Sequence, residues 1–160
     1  MKFKNFIKIF FAILFVFVST HSYAKTIKWS MQGDSLTLDP HAQNEGPTTQ
    51  VSRQVYEALV TRGLDMSIEP QLATDWKTTD PNTWVFNLRK DVKFSDGTDM
   101  TAKDVVFSIL RAKQPTSDFK EYISTISDVK EIDNYTVQVI TSKPNPILLN
   151  QLSNIFIMSK

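Results

Sequence analysis

The chain has 160 residues, with 18 basic and 17 acidic side chains and a formal net charge of +1 at pH 7. This even balance lacks the basic excess that nucleic-acid binding needs. The absence of cysteine excludes disulfides, thiolate metal sites, thiol nucleophiles and the thiol that carries the lipid of a bacterial lipoprotein. A chain of this size buries about two-thirds of its unfolded surface, which is enough for one core.

The first 24 residues are typical of a cleaved secretory signal peptide. Lysines at positions 2, 4 and 8 precede an uninterrupted apolar run at residues 9–18, and Ala24 ends a cleavage site of small residues. A membrane span needs about 20 apolar residues, far more than this run provides. Removal of the leader takes three basic residues away, so the mature chain is slightly acidic (15 − 17 = −2). Export without a lipid anchor predicts a free periplasmic protein.

The mature chain opens on an alternating segment and a polar loop. Apolar and polar residues alternate over residues 26–31, the period-two pattern of a half-buried strand that places Ile27, Trp29 and Met31 on one face. Residues 32–45 are polar and contain Gly33 and Pro40, which predicts a loop.

A first helix is predicted over residues 47–59. Pro47 suits the first turn of a helix, because the N–H that proline lacks would have no partner there. Val51, Val55 and Leu59 recur four residues apart, which predicts one apolar stripe packed against the core.

Short strands follow this helix. Residues 60–61 predict a strand before a turn at 63–67, and residues 68–73 are interpreted as a docked loop. Two further strands are predicted at 75–77 and 83–89, joined by a turn that contains Pro81. Their tryptophans, Trp76 and Trp84, are predicted to belong to the core.

The second half predicts a capped helix and a hairpin. Thr101 and Asp104 resemble a capping box ahead of a helix that ends near Lys113. A short helix is weakly indicated at 117–124. Strands at 128–132 and 135–141 flank a two-residue turn, Asp133-Asn134, and a last short helix is predicted at 147–152. Gly97 is assigned a turn position that only glycine adopts cheaply.

Several sequence motifs occur in a fixed order along this framework. They are LDPH at 38–41, LA at 72–73 with Trp76, WVFNLR at 84–89, VKFSDG at 92–97, TAKDVVFS at 101–108, YTV at 135–137 and KP at 143–144. In this order and spacing they resemble the signature region of family 5 extracellular solute-binding proteins, the oligopeptide, dipeptide and nickel receptors of ABC importers. The resemblance covers essentially the whole mature chain.

The resemblance implies a mixed α/β fold of the periplasmic-binding-protein type II class, present in part. Residues 25–50 would be the first strand and the ligand-side loop of lobe one, and residues 51–160 the extra subdomain of that lobe. Family members are considerably longer and have a second lobe. The resemblance therefore implies that the chain is either a fragment of a longer reading frame or a truncated product.

The resemblance also implies where a ligand would bind. In the family, the loop after the first strand lines the cleft between the lobes and offers backbone groups to an extended peptide, which points to Asn44, Glu45 and Gly46. It implies a monomer that binds a peptide or peptide-like solute, delivers it to ABC-transporter permease subunits and uses no cofactor.

Two alternatives stay open. A secreted hydrolase could use Asp39 and Glu45 as an acid/base pair, although no supporting motif accompanies them. His41 is the only histidine left after the leader is removed, so it gives no recognisable zinc site, and no G-x-S-x-G motif provides a nucleophile. The second alternative is a truncated structural module that binds nothing.

Overall fold

The computed structural model describes residues 26–160, and the predicted signal peptide lies outside them. Residues 31–160 form one compact unit, and the residues before Met31 belong to a second. Within the described residues, no helix combines the length and the apolarity that crossing a membrane requires.

The strand predicted at residues 26–31 does not form, and that prediction was wrong. The side chains of Ile27 and Trp29 are 85% and 64% exposed, so Trp29 is not a strand-face residue here. A strand is held by the backbone hydrogen bonds of a neighbouring strand. Among the described residues, none pairs with this segment.

Helix α1, Gly46–Val55, is shorter than predicted and buries a different face. Its buried residues are Thr48 and Ser52, whereas Val55 is 67% exposed and Leu59 lies beyond the helix. The Thr48 hydroxyl accepts a hydrogen bond from the Leu36 N–H at 3.0 Å. The predicted stripe was therefore wrong, because this helix face supports the backbone of the preceding loop.

A small hairpin follows α1. Strand β1, Val60–Arg62, pairs antiparallel with β2, Ile68–Pro70. Residues 68–73 are thus strand β2 and the start of the next strand, and not the docked loop that was predicted. The intervening turn contains Met66, which adopts a positive φ of 67°.

The core sheet has four antiparallel strands in the order β3-β4-β6-β5. The strands are β3 Ala73–Asp80, β4 Thr83–Leu88, β5 Ile126–Asp133 and β6 Thr136–Thr141. The two predicted hairpins, β3–β4 and β5–β6, are confirmed. They join through β4 and β6, where Phe86 lies opposite Val137.

Helix α2, Ala102–Ala112, packs on β5 and β6. Its inner face buries Val105 and Ile109 completely, while the neighbouring Leu110 is 45% exposed. Asp104 accepts hydrogen bonds from the N–H and the hydroxyl of Thr101 at 2.8 and 3.0 Å, which confirms the predicted cap.

Two short helices complete the unit. The 3₁₀ helix Lys120–Ile123 lies within the weakly indicated segment 117–124, and α3, Leu148–Leu152, matches the prediction. Trp76 and Trp84 pack, partly buried, against the core that is centred on Phe86. After α3 the chain returns to the start of the unit, since Phe156 bridges to Ala58.

Gly97 occupies the turn position predicted for it. Its φ is +88°, a conformation that side-chain-bearing residues rarely adopt. Asp96 accepts from the N–H and the hydroxyl of Thr98 at 2.9 and 2.7 Å. The SDG motif therefore builds a local turn.

Candidate solute-binding loop

The three predicted ligand residues lie where the loop at residues 32–45 meets α1. Glu45 is the N-cap of α1, in an extended conformation (φ −127°, ψ 158°), and its Oε1 accepts from the Thr48 N–H at 2.8 Å. Gly46 is the first residue of the helix, and it is exposed. Pro47 carries no N–H, and the N–H groups of Thr48 and Thr49 donate to Glu45. Among the described residues, the backbone donor that this helix end offers to a partner is therefore the N–H of Gly46.

Asn44 meets a residue from a distant part of the chain. Its side-chain Nδ2 donates to the hydroxyl of Tyr122 at 3.3 Å, and Asn44 itself is exposed. Tyr122 belongs to the 3₁₀ helix, and its ring centre lies 5.8 Å from that of the buried Phe119. Two segments that are far apart in sequence thus place an amide and a phenol side by side.

A polar cluster holds the loop a few residues before Asn44. The guanidinium of Arg111, in the last turn of α2, donates to both carboxylate oxygens of Asp39 at 2.9 and 2.5 Å. The Arg111 nitrogen Nη1, which donates to Asp39 Oδ1, also lies 3.2 Å from Nδ1 of His41. The other ring nitrogen of His41, Nε2, lies 3.0 Å from the Phe156 carbonyl oxygen.

These contacts determine the protonation of His41. Burial, and then the neighbouring positive charge of Arg111, lower the pKa of His41 from 6.5 to about 4. The imidazole is therefore neutral near pH 7, with Nε2–H donating to Phe156 and Nδ1 accepting from Arg111. The Arg111 hydrogen bond lowers the pKa of Asp39, and the same bond raises the pKa of Arg111.

The geometry gives structural roles to both carboxylates of the hydrolase alternative. Asp39 is engaged by Arg111, and its Oδ1 also accepts from the His41 N–H at 3.0 Å. Glu45 caps α1. Among residues 26–160, no group of three or more His, Cys, Asp or Glu side chains could hold a metal ion.

Sequence reasoning missed Arg111 and Tyr122 as members of this region. Arg111 was simply part of a predicted helix, and Tyr122 fell in a weakly indicated one. Neither carries a local signal, because each meets the loop only through the tertiary fold.

Two surface grooves, of about 740 and 720 Å³, lie elsewhere on the unit. The first follows the outer face of α2 and β5 and includes Val106, Phe107 and Leu110. The second lies between the end of α1 and the loop before α2. Neither is lined by Asn44, Glu45 or Gly46.

Residues 67–160 match the sequence profile described as bacterial extracellular solute-binding proteins, family 5 middle. The chain belongs to this family. The periplasmic oligopeptide-binding protein OppA of Escherichia coli (strain K12) is 36% identical over 129 residues, an alignment that covers 69% of this chain and 24% of OppA.

Solved structures of family 5 relatives share the fold. The murein tripeptide binding protein MppA of Escherichia coli superposes with a TM-score of 0.76 at 29% identity, over 81% of this chain and 30% of MppA. NikZ of Campylobacter jejuni, in complex with Ni(L-His), gives a TM-score of 0.70 at 26% identity, over 79% of this chain and 26% of NikZ. The chain thus spans roughly a quarter of the length of these relatives.

Proposed function

We propose that this chain is the N-terminal part of the periplasmic substrate-binding component of an ABC importer, and that it captures peptides or peptide-like solutes. The similarity to an oligopeptide-binding protein carries the proposal. In this assignment residues 25–50 begin lobe one and residues 51–160 form its extra subdomain. The protein works as a monomer, performs no covalent chemistry and delivers its solute to permease subunits.

The loop at Asn44 to Gly46 supplies the solute contacts in this proposal. Main-chain hydrogen bonds hold an extended peptide whatever its side chains are, and bridging water lets a pocket accept varied residues. Gly46 begins α1 and is exposed, so its N–H suits a peptide carbonyl. Asn44 adds an amide that donates and accepts.

Capture by such proteins requires closure of two lobes around the solute, which is a hinge motion. The loop presented here contributes one side of the cleft in this proposal. The second lobe would supply the other side and the remaining contacts. A periplasmic location follows from the predicted signal peptide and the absence of cysteine for lipid attachment.

Calorimetric titration with a synthetic pool of short peptides tests the proposal. It would be run on residues 25–160 and on the product of the complete reading frame that encodes them, followed by chromatography of the recovered peptides. We expect the complete product to bind and to release the peptides intact. Absence of binding by both proteins would overturn the proposal.

Cleavage of the peptides would support the hydrolase alternative. That activity would have to disappear in Asp39→Asn or Glu45→Gln, because those carboxylates are its only candidates. If the peptides are recovered uncleaved after repeated rounds of binding, the hydrolase alternative is excluded.

A further inference from the structure

We propose that Arg111 is a positioning residue for solute binding, which fixes the loop leading to Asn44, Glu45 and Gly46 through its contacts with Asp39 and His41. This inference rests on the proposed function of that loop. Arg111 would act without touching the solute, by holding the backbone that does.

Arg111 holds Asp39 by two hydrogen bonds. Its two terminal nitrogens reach the two carboxylate oxygens at 2.9 and 2.5 Å, a bidentate geometry that fixes orientation as well as distance. Asp39 also accepts from the His41 N–H at 3.0 Å. The carboxylate therefore joins the end of α2 to the backbone of the loop.

His41 is also held by contacts on several sides. Its ring is 1% exposed and lies between Arg111 at 3.2 Å and the Phe156 carbonyl at 3.0 Å. Its own carbonyl oxygen accepts from the Asp118 N–H at 3.1 Å. One loop residue thus contacts α2, the segment after α2 and the returning C-terminal segment.

The part of α2 that carries Arg111 is packed into the core. Arg111 lies between Ile109 and Ala112, both fully buried in α2. Asn44 follows His41 by three positions along the chain, a stretch that spans at most about 10 Å when extended. A change in the position of His41 would therefore also move the residues that are proposed to contact the solute.

Removal of the Arg111 guanidinium leaves the Asp39 carboxylate and the buried His41 Nδ1 without these partners. The loop would then populate several conformations. When only a fraction of molecules has the binding-competent loop, the apparent Kd rises by the inverse of that fraction. Arg111 would thus control affinity from outside the contact surface.

Amide hydrogen exchange tests the positioning step without any solute. We compare wild type, Arg111→Met, Arg111→Lys and Asp39→Asn, with Arg62→Met as the matched control. Arg62 is an exposed arginine whose guanidinium donates to the Asn150 carbonyl at 3.3 Å, away from the loop. The reporters are the amides of His41, Ala42 and Asp118, and the β6 amides report global unfolding.

We expect Arg111→Met and Asp39→Asn to speed exchange at the loop reporters by about tenfold or more, as expected for local opening without global unfolding. Exchange in β6 should stay unchanged. Arg111→Lys should give an intermediate rate, because lysine keeps the charge but loses the fork. Loop exchange at the wild-type rate in both Arg111→Met and Asp39→Asn would overturn the inference.

Titration of the complete product with the same peptide pool tests the consequence. Arg111→Met should weaken binding about tenfold, with Arg111→Lys in between and Arg62→Met as wild type. Unchanged affinity in a variant with a loosened loop would overturn the role in binding. If the wild-type protein binds no peptide, both the proposed function and the role of Arg111 in binding are contradicted. The exchange experiment would still show whether Arg111 holds the loop.

Discussion

At the scale of single residues, the pair of His41 and Arg111 is informative because a buried base, whose burial already disfavours its charged form, lies beside a partly exposed cation. A protonated histidine beside Arg111 would place two positive charges in contact with one carboxylate, Asp39. The fold avoids this by keeping His41 neutral, and the pKa of its imidazole falls to about 4. His41 therefore binds a proton more tightly in the unfolded chain than in the folded one, so a fall in pH should lower the free energy of unfolding.

The first prediction concerns pH. Because the folded pKa of His41 lies below its ordinary value of 6.5, stability from this group is complete above that value and is lost as pH falls toward 4. For residues 25–160 we expect the free energy of unfolding to fall by about 2 kcal/mol between about pH 7 and pH 5. Urea denaturation followed by tryptophan fluorescence measures it.

His41→Gln is the control, because glutamine keeps a donor and an acceptor but does not titrate. This variant should be less stable near neutral pH, and its free energy of unfolding should change much less between about pH 7 and pH 5. Carboxylates such as Asp39, whose pKa lies below 3.8, contribute little above pH 5. An equal slope in the variant and the wild type would assign the pH dependence to other groups.

The cluster itself could not be found from sequence. Sequence alone assigned His41 no recognisable role, and its partners Arg111 and Phe156 lie 70 and 115 residues away. Local patterns carry no information on such pairs. The loop as a whole was predicted from its polarity, whereas Glu45 was not predicted as an N-cap, because glutamate is not among the residue types preferred there.

At the scale of elements, helix α2 depends on one carboxylate at its start. Asp104 is 8% exposed and accepts from the N–H and hydroxyl of Thr101 and from the Lys160 N–H at 3.0 Å. It therefore satisfies donors at both the helix start and the returning segment. A negative charge at this end also suits the helix dipole.

The second prediction compares two aspartates. Asp104→Ala should lower the free energy of unfolding by about 1–2 kcal/mol, as expected for loss of a helix cap. Asp96→Ala is its matched control, because Asp96 likewise accepts from the N–H and hydroxyl of a threonine, Thr98, but in an exposed turn. Thermal unfolding should show the larger loss in Asp104→Ala. Equal losses would contradict the role of the cap.

The elements that sequence predicted are those with a strong local period. The β3–β4 and β5–β6 hairpins combine alternation with clear turns, and α2 combines a cap with an apolar face. Strand β2 was missed because three residues cannot show a period. The stripe assigned to α1 was wrong because Thr48, on the buried face, accepts a hydrogen bond from the loop backbone, a contact that arises only in the assembled fold.

At the scale of the whole molecule, the proposed capture of a solute requires a second lobe in addition to residues 26–160. The chain spans roughly a quarter of its relatives, and its sheet and α2 form a scaffold that supports the loop. The strand order β3-β4-β6-β5 joins two local hairpins and was not predicted. The proposed function therefore depends on the loop, where we propose that the N–H of Gly46 at the start of α1 binds the solute.

The most direct test removes one backbone donor at the start of α1. Gly46→Pro deletes the N–H at the first position of the helix, where proline is tolerated, and the extended Glu45 suits a following proline. Because residue 46 itself precedes Pro47, which disfavours the helical conformation there, far-UV circular dichroism and the urea midpoint of each variant must first match those of the wild type. Gly46→Ala is the control, since a Cβ there meets nothing within 4 Å.

Calorimetric titration of the complete product with the peptide pool provides the measurement. Gly46→Ala should bind as wild type does, and Gly46→Pro should bind about tenfold more weakly, the size expected for one lost hydrogen bond. Equal affinity of the two variants would contradict the claim that this loop holds the solute through its backbone.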